Sequence, residues 1–201
     1  MFPEIGQPLP TCLTSFINDK FILMPKKLIL YIAMSLDGYI ARPDGNLDWL
    51  SSVERPGEDY GYADFVRTVD TVIMGRKTYD KVLSFGIPFP HSGRACYIIT
   101  RQERAPDGNV VFYSGPLTEL VTQLKSQPGG HIYCDGGAEL VNALRRDNLI
   151  DTYVVSIIPV LLGSGIRLFQ DGSPGNTLQL MESKAFDSGL VQLMYERVDK
   201  G

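Results

Sequence analysis

Asp70-Thr71-Val72-Ile73-Met74-Gly75-Arg76-Lys77-Thr78-Tyr79 decides how this chain is read. Its apolar run, residues 71–74, has the length of a buried strand, and Arg76 to Leu83 reads as a helix. A strand that ends at a glycine and turns directly into a helix leaves several backbone N–H groups unpaired and converging. That geometry suits an anion, because a helix N-terminus carries partial positive charge and free donors. Arg76, Lys77 and the Thr78 hydroxyl add charge and one more donor. The plainer reading is a helix that merely begins with basic residues, an arrangement its dipole mildly disfavours.

Outward from this stretch, strands and helices alternate. Leu28 to Ala33 is a continuous apolar run, the pattern of a strand buried on both faces. Tyr60 to Val69 has apolar residues at helical spacing. Ala95 to Ile99 and Val110 to Tyr113 read as strands, and the segment from Gly115-Pro116 through Lys125 as a helix with Leu117, Leu120, Val121 and Leu124 on one face. His131 to Cys134 is a further strand, running into Asp135-Gly136-Gly137, and a helix spans Ala138 to Arg146. Thr152 to Pro159 is a strand leading to Leu162-Gly163-Ser164-Gly165. Leu178 to Ala185 and Leu190 to Val198 alternate and flank Asp187-Ser188-Gly189, which predicts an antiparallel hairpin. The order implies an α/β fold with a mostly parallel central sheet, helices flanking it and a C-terminal hairpin. Ligands of such sheets gather at the carboxyl ends of the strands. Glycine and arginine recur there, at Gly75-Arg76, Thr100-Arg101, Gly115, Gly136-Gly137 and Gly163 to Gly165. Two separated phosphate-friendly ends suit a phosphorylated dinucleotide, although each glycine alone also fits a plain tight turn.

The totals narrow the class. The chain has 201 residues, 44% hydrophobic and 21% charged, with a net charge of −4. That is enough for one well-cored domain, and the negative balance gives no electrostatic support to a nucleic-acid partner. No apolar run approaches the ~20 residues of a membrane helix. Cys12, Cys96 and Cys134 show no paired spacing, and His91 and His131 sit in no ligand pattern. No metal site is expected, and a reducing cytoplasm fits. Residues 1–25, with four prolines and no period, are expected to be an unstructured or mis-assigned extension ahead of one domain at 26–201, with Met24 as the expected physiological start.

Four motifs, in this order, carry a family resemblance. They are Ala33 to Ala41 (AMSLDGYIA), Asp70 to Tyr79 (DTVIMGRKTY), Asp135-Gly136-Gly137, and Leu149-Ile150-Asp151 continuing to Pro159 through Phe169 (PVLLGSGIRLF). From Lys27 to Val198 the chain resembles the dihydrofolate-reductase-like superfamily. Within it, the chain resembles the reductase domain of the riboflavin-biosynthesis deaminase/reductases (RibD C-terminal domain) and their stand-alone relatives. The resemblance implies NADPH as cofactor. It assigns Ala33, Ile40 and Ala41 to the nicotinamide end. Gly75, Arg76, Lys77 and Thr78 fall to the pyrophosphate and 2′-phosphate region, and Thr100 and Arg101 to the adenosine-phosphate side. Gly136, Gly137, Ala138, Glu139 and Leu140 match the glycine pair and helix start that cover the pyrophosphate, a pair that can be joined by a cis peptide in that superfamily. Trp49 and Ser156 match a pocket tryptophan and a pocket hydroxyl. Arg167 is assigned to a ribose phosphate, with a surface arginine as the alternative. Ser35 and Asp37 lie near the nicotinamide and are the candidate catalytic residues, Asp37 having a structural turn role as its alternative.

The implied reaction is hydride transfer from NADPH to 5-amino-6-(5-phosphoribosylamino)uracil or a similar small heterocycle. No H-x-E or P-C-x-x-C deaminase pattern is present, so reduction alone is expected. The alternatives are a dihydrofolate or pterin reductase and a non-catalytic NADPH-binding protein. Dihydrofolate reductases place an acid on the helix before the Gly75 motif; Glu58, Asp59 and Asp64 are available, none at the matching position. A homodimer through a sheet edge or the C-terminal hairpin is implied by the same resemblance. Gly163-x-Gly165 lacks the third glycine and the helix of a Rossmann fingerprint.

Overall fold

The apolar run at the start of the domain forms β1 (Leu28–Ser35), with Leu28 and Leu30 fully buried and parallel neighbours on both edges. The computed structural model describes residues 26–102, 104–172 and 175–198, so the expected extension at 1–25 lies outside the described residues. After β1 come β2 (Tyr39–Ala41), a 3₁₀ helix (Asp48–Val53), α1 (Tyr62–Arg67), β3 (Val69–Gly75), α2 (Arg76–Leu83), β4 (Ala95–Ile99) and β5 (Val110–Tyr113). Then follow α3 (Leu117–Lys125), β6 (His131–Cys134), α4 (Ala138–Arg146), β7 (Thr152–Ile158), β8 (Ile166–Arg167), β9 (Leu178–Ala185) and β10 (Val191–Arg197).

Among the described residues the main sheet has eight strands in the order β5-β4-β3-β6-β1-β7-β10-β9. The first six are parallel, and β10 and β9 close the far edge as the expected antiparallel hairpin. Side chains alternate between two cores, as the strand period requires. Ile73, Leu28, Leu30 and Ile132 meet Leu120, Val121 and Leu124 of α3 and Val141 and Leu144 of α4. Val72, Met74, Cys96 and Ile98 face the other way, toward Phe65 of α1 and Tyr79 of α2. Burial pushes the Cys96 and Cys134 thiols up to about 12, so both are inert core residues.

Beyond shifts of one or two residues at strand ends and the 3₁₀ helix Asp48–Val53, which the sequence reading did not include, the observed elements depart from it around α1 and at the β2–β8 pair. The helix expected over 60–69 is confined to Tyr62–Arg67, because Tyr60 and Gly61 have φ of 57° and 82° and cannot be helical. Val69 instead begins β3, opposite His131. The antiparallel pair β2–β8 carries too few residues to show a period. It is fixed by Gly165, where an added Cβ would lie 2.2 Å from the Ala41 carbonyl oxygen at a φ of +154°.

Candidate functional site

The sheet reverses direction of travel between β3 and β6. From β3 the chain crosses through α2 to β4 on one side, and from β6 it crosses through α4 to β7 on the other. The two helices therefore lie on opposite faces and diverge from neighbouring strand ends, which opens a crevice at that point. The Gly75 amide donates to the Gly136 carbonyl at 2.8 Å, and the Gly136–Gly137 peptide is cis. Two of the three glycines resist a side chain. Gly136 holds a φ of +85°, and a Cβ on Gly137 would sit 3.0 Å from Thr78 Oγ1, whereas one on Gly75 would make only ordinary contacts, 3.5 Å from Gly136 O and 3.6 Å from Gly137 N. Neither α2 nor α4 has a side-chain cap, so the first-turn amides of Arg76-Lys77-Thr78 and Ala138-Glu139-Leu140 remain as donors around one cradle.

Charge surrounds the cradle. Lys77 Nζ meets Glu139 Oε1 at 2.7 Å across the two helix starts, and this contact holds the Glu139 carboxyl below its ordinary range. Arg101, exposed just past β4, adds to that field. Thr100 lies beside it and accepts from the Gln102 amide at 3.2 Å. Arg76 is engaged along its own helix, with Nε 2.8 Å from Asp80 Oδ1. Beneath the glycine pair, His91 is 2% exposed, its Nε2 lies 2.9 Å from Asp135 Oδ2, and the Tyr133 hydroxyl donates to Asp135 Oδ1 at 2.7 Å. His91 belonged to no ligand pattern because it acts through Asp135, 44 residues away, to fix the residue directly before Gly136.

One strand over from β6, a cavity of about 340 Å³ opens at the carboxyl ends of β1 and β7. Tyr31 and Ala33 of β1 and Ser156 and Ile158 of β7 line one side, and Leu50, Val53 and the segment 54–60 line the other. Ser156 is thus placed in the cavity. Gln192 of β10, opposite Ser156 in the sheet register, donates through Nε2 to Ser156 Oγ (3.2 Å) and to Tyr31 Oη (3.1 Å). The Tyr31 hydroxyl in turn donates to the Tyr60 carbonyl at 2.9 Å, and burial raises its pKa. Gln192 and Tyr31 went unnoticed in the sequence because only the registers of β10 and β1 on β7 bring them to Ser156. Trp49 lies behind the wall, 4% exposed and packed with Val53, Ile158 and Leu190.

Ser35 and Asp37, the candidate catalytic residues, are engaged with each other and with the loop after β7. Fully buried Ser35 donates from Oγ to Asp37 at 2.6 Å and accepts from the Tyr39 amide at 3.0 Å. Asp37 also accepts from the Leu162 and Gly163 amides at 3.1 and 2.7 Å. The Ser35 hydroxyl, followed by those amides, holds the Asp37 carboxyl down to about 2. The pair is a clasp that ties the 36–38 turn to the 160–165 loop. It also positions β2, whose Ile40 and Ala41 border that turn, Ala41 buried. Arg167 lies on β8 with its guanidinium 4.8 Å above the Tyr39 ring, and does not line the cavity.

Residues 26–192 match the RibD C-terminal domain family. The protein YwjB of Bacillus subtilis (strain 168) is 43% identical over 175 residues, which cover 87% of this chain and 99% of YwjB. A structure described as a putative riboflavin biosynthesis protein from Shewanella sp. PV-4 superimposes with a TM-score of 0.78 at 34% identity, covering 86% of this chain and 99% of its own. Dihydrofolate reductase from Enterococcus faecalis, solved with NADP(H), superimposes with a TM-score of 0.58 at 16% identity, covering 86% and 97%, and so shares the fold. The switch-point cradle, the neighbouring cavity and these matches lead to one conclusion: the chain has a dihydrofolate-reductase-like fold and belongs to the RibD C-terminal domain family.

Proposed function

We propose that this protein is an NADPH-dependent reductase of the riboflavin-biosynthesis type, acting on a small nitrogen heterocycle. The carrying observation is the uncapped glycine cradle at the switch point, one strand away from a cavity of substrate size. The residues present fit the cofactor. The amides after Gly75 and Gly137 would hold its pyrophosphate. Arg101, Lys77 and Arg76 would meet the adenosine 2′-phosphate, and Ala33, Ile40 and Ala41 would border the nicotinamide. When bound, NADPH supplies a hydride to an electrophilic carbon of the substrate. The protein orients that carbon, excludes water and provides the hydrogen bonds of Ser156 and Tyr31.

Two substrate readings follow. The family points to 5-amino-6-(5-phosphoribosylamino)uracil, and the carboxylates Glu58 and Asp59 beside the cavity favour a pterin or dihydrofolate. Non-catalytic NADPH binding is the third reading. The working form is a cytoplasmic homodimer in this proposal. Support for the dimer comes from the outermost strand, β9, where Leu180 and Met181 are about half exposed on an unpaired edge. Among the described residues no helix is long and apolar enough to cross a membrane. The test is NADPH oxidation followed against the aminouracil ribose phosphate, dihydrofolate and a quinone. Turnover of a heterocycle supports the proposal. NADPH binding with no turnover on any of them leaves the non-catalytic reading, and no NADPH binding removes all three.

A further inference from the structure

Resting on that reductase reading, we propose that Glu139 sets how strongly the cofactor site prefers NADPH: it competes with the 2′-phosphate for Lys77 and so holds the preference down. The first observation is the bridge itself. Lys77 is the second residue of α2 and Glu139 the second residue of α4, and Nζ meets Oε1 at 2.7 Å across the crevice between the two helix starts. Both side chains are largely exposed, 87% and 69%, so the pair contributes little to holding the fold together. The dipole of α4 favours a carboxylate in its first turn, whereas the dipole of α2 disfavours an ammonium there. Lys77 therefore needs an anion, and Glu139 is the anion it has. The Lys77 ammonium, and more weakly Arg101, hold the Glu139 carboxyl below its ordinary range, so it stays charged at neutral pH.

The second observation is how the three cations assigned to the 2′-phosphate are occupied. Arg76 gives only Nε to Asp80, one turn further along its own helix, and its two terminal nitrogens form no hydrogen bond among the described residues. Arg101 pairs with no carboxylate among the described residues. Lys77 has one charged nitrogen, and that nitrogen is held by a carboxylate on the other helix. A phosphate arriving between the helix starts can thus add to Arg76 and Arg101 directly, but gains Lys77 only by displacing Glu139. Displacement leaves a charged carboxylate beside a dianion, a like-charge contact that opposes binding. NADH carries the pyrophosphate but no 2′-phosphate, so this cost falls on NADPH. Glutamine at position 139 keeps the side-chain length and an acceptor oxygen and removes the charge.

The test is calorimetric titration of the full chain with NADPH, NADH and adenosine 2′,5′-bisphosphate, in wild type, Glu139→Gln, Lys77→Gln and the double variant. Glu139→Gln is expected to bind NADPH and the bisphosphate about fivefold more tightly, with NADH within about twofold of wild type. Raising the salt should shrink that gain. In the Lys77→Gln background the same change should gain less than about twofold, because no ammonium is left to release. The proposal is overturned if Glu139→Gln leaves NADPH affinity unchanged or weakens it, if NADH gains equally, or if the full gain survives without Lys77. Thermal unfolding of the same preparations reads the structural alternative: a lowered Tm with unchanged affinities also overturns it. The two claims fail separately. A gain for the bisphosphate with no NADPH binding removes the reductase reading alone, NADPH binding without the gain removes this inference alone, and binding of neither ligand removes both.

Discussion

Replacing Gly137 by alanine puts the cofactor cradle to its sharpest trial. The new Cβ would lie 3.0 Å from Thr78 Oγ1, in the space between the first turns of α2 and α4. Gly137 itself has a φ of −73°, which alanine tolerates, so the effect is one of space and not of backbone conformation. Thr78 must move by a few tenths of an ångström, an overpacking cost of about 1–3 kcal/mol. For a chain of this size about 1 kcal/mol corresponds to roughly 2–4 °C in melting temperature. The fold should therefore survive with a Tm lowered by a few degrees. The cradle should not survive, because the methyl group and the displaced hydroxyl occupy the place assigned to the pyrophosphate. NADPH affinity should become undetectable, a loss well beyond the roughly tenfold that 1.4 kcal/mol represents. Thermal unfolding and calorimetric titration of one preparation read both effects. Near-wild-type NADPH affinity in a folded variant would refute the cradle, and loss of both folding and binding in Gly137→Ala would call for Thr78→Ala beside it as a relieving change.

Three further outcomes are expected. Arg101→Ala should reduce NADPH affinity by roughly tenfold and NADH affinity little, since a hydrogen bond to a charged group is worth about 1.5–3 kcal/mol; Arg76→Ala should do less, because Asp80 already engages Arg76. Equal losses for both cofactors in competitive titrations would contradict the 2′-phosphate assignment. The Asp37 carboxyl is depressed from 3.8 to about 2, so its stabilising contribution is present above the ordinary value and is lost as pH falls through about 2. The urea midpoints of wild type and Asp37→Asn should differ at pH 6 and converge toward pH 2; a constant gap would show that the clasp does not depend on the charge. Sedimentation at micromolar concentration should give about twice 22.3 kDa, shifting to the monomer mass when Leu180 and Met181 are both changed to Lys; a monomeric wild type would remove the dimer.

Much of this was legible in the chain because buried parallel strands write themselves as apolar runs. β4, β5 and β6, α2 and α4 have the bounds the periodicity predicts. The cradle was legible for a related reason: strand, glycine and helix follow without a gap at Gly75, and only Asp135-Gly136-Gly137 separate β6 from α4. What the sequence hid depends on pairing across long separations. Gln192 reaches Ser156 only through the register of β10 on β7, 36 residues away. His91 supports Asp135 from a loop with no period of its own. The β2–β8 pair was hidden by its length, and the left-handed Tyr60-Gly61 turn cut short a helix that apolar spacing had extended. The hydrogen-bond partners of Asp37 at 162 and 163, which make it an anchor, were hidden because they lie more than 120 residues away.

The most direct test of the central claim is calorimetric titration of the wild-type chain with NADPH, NADH and adenosine 2′,5′-bisphosphate. One NADPH per chain should bind, at least roughly tenfold more tightly than NADH, with the bisphosphate competing for the same site. Absence of NADPH binding, or equal affinity for NADPH and NADH with no competition from the bisphosphate, would contradict a 2′-phosphate-reading cradle between β3 and β6.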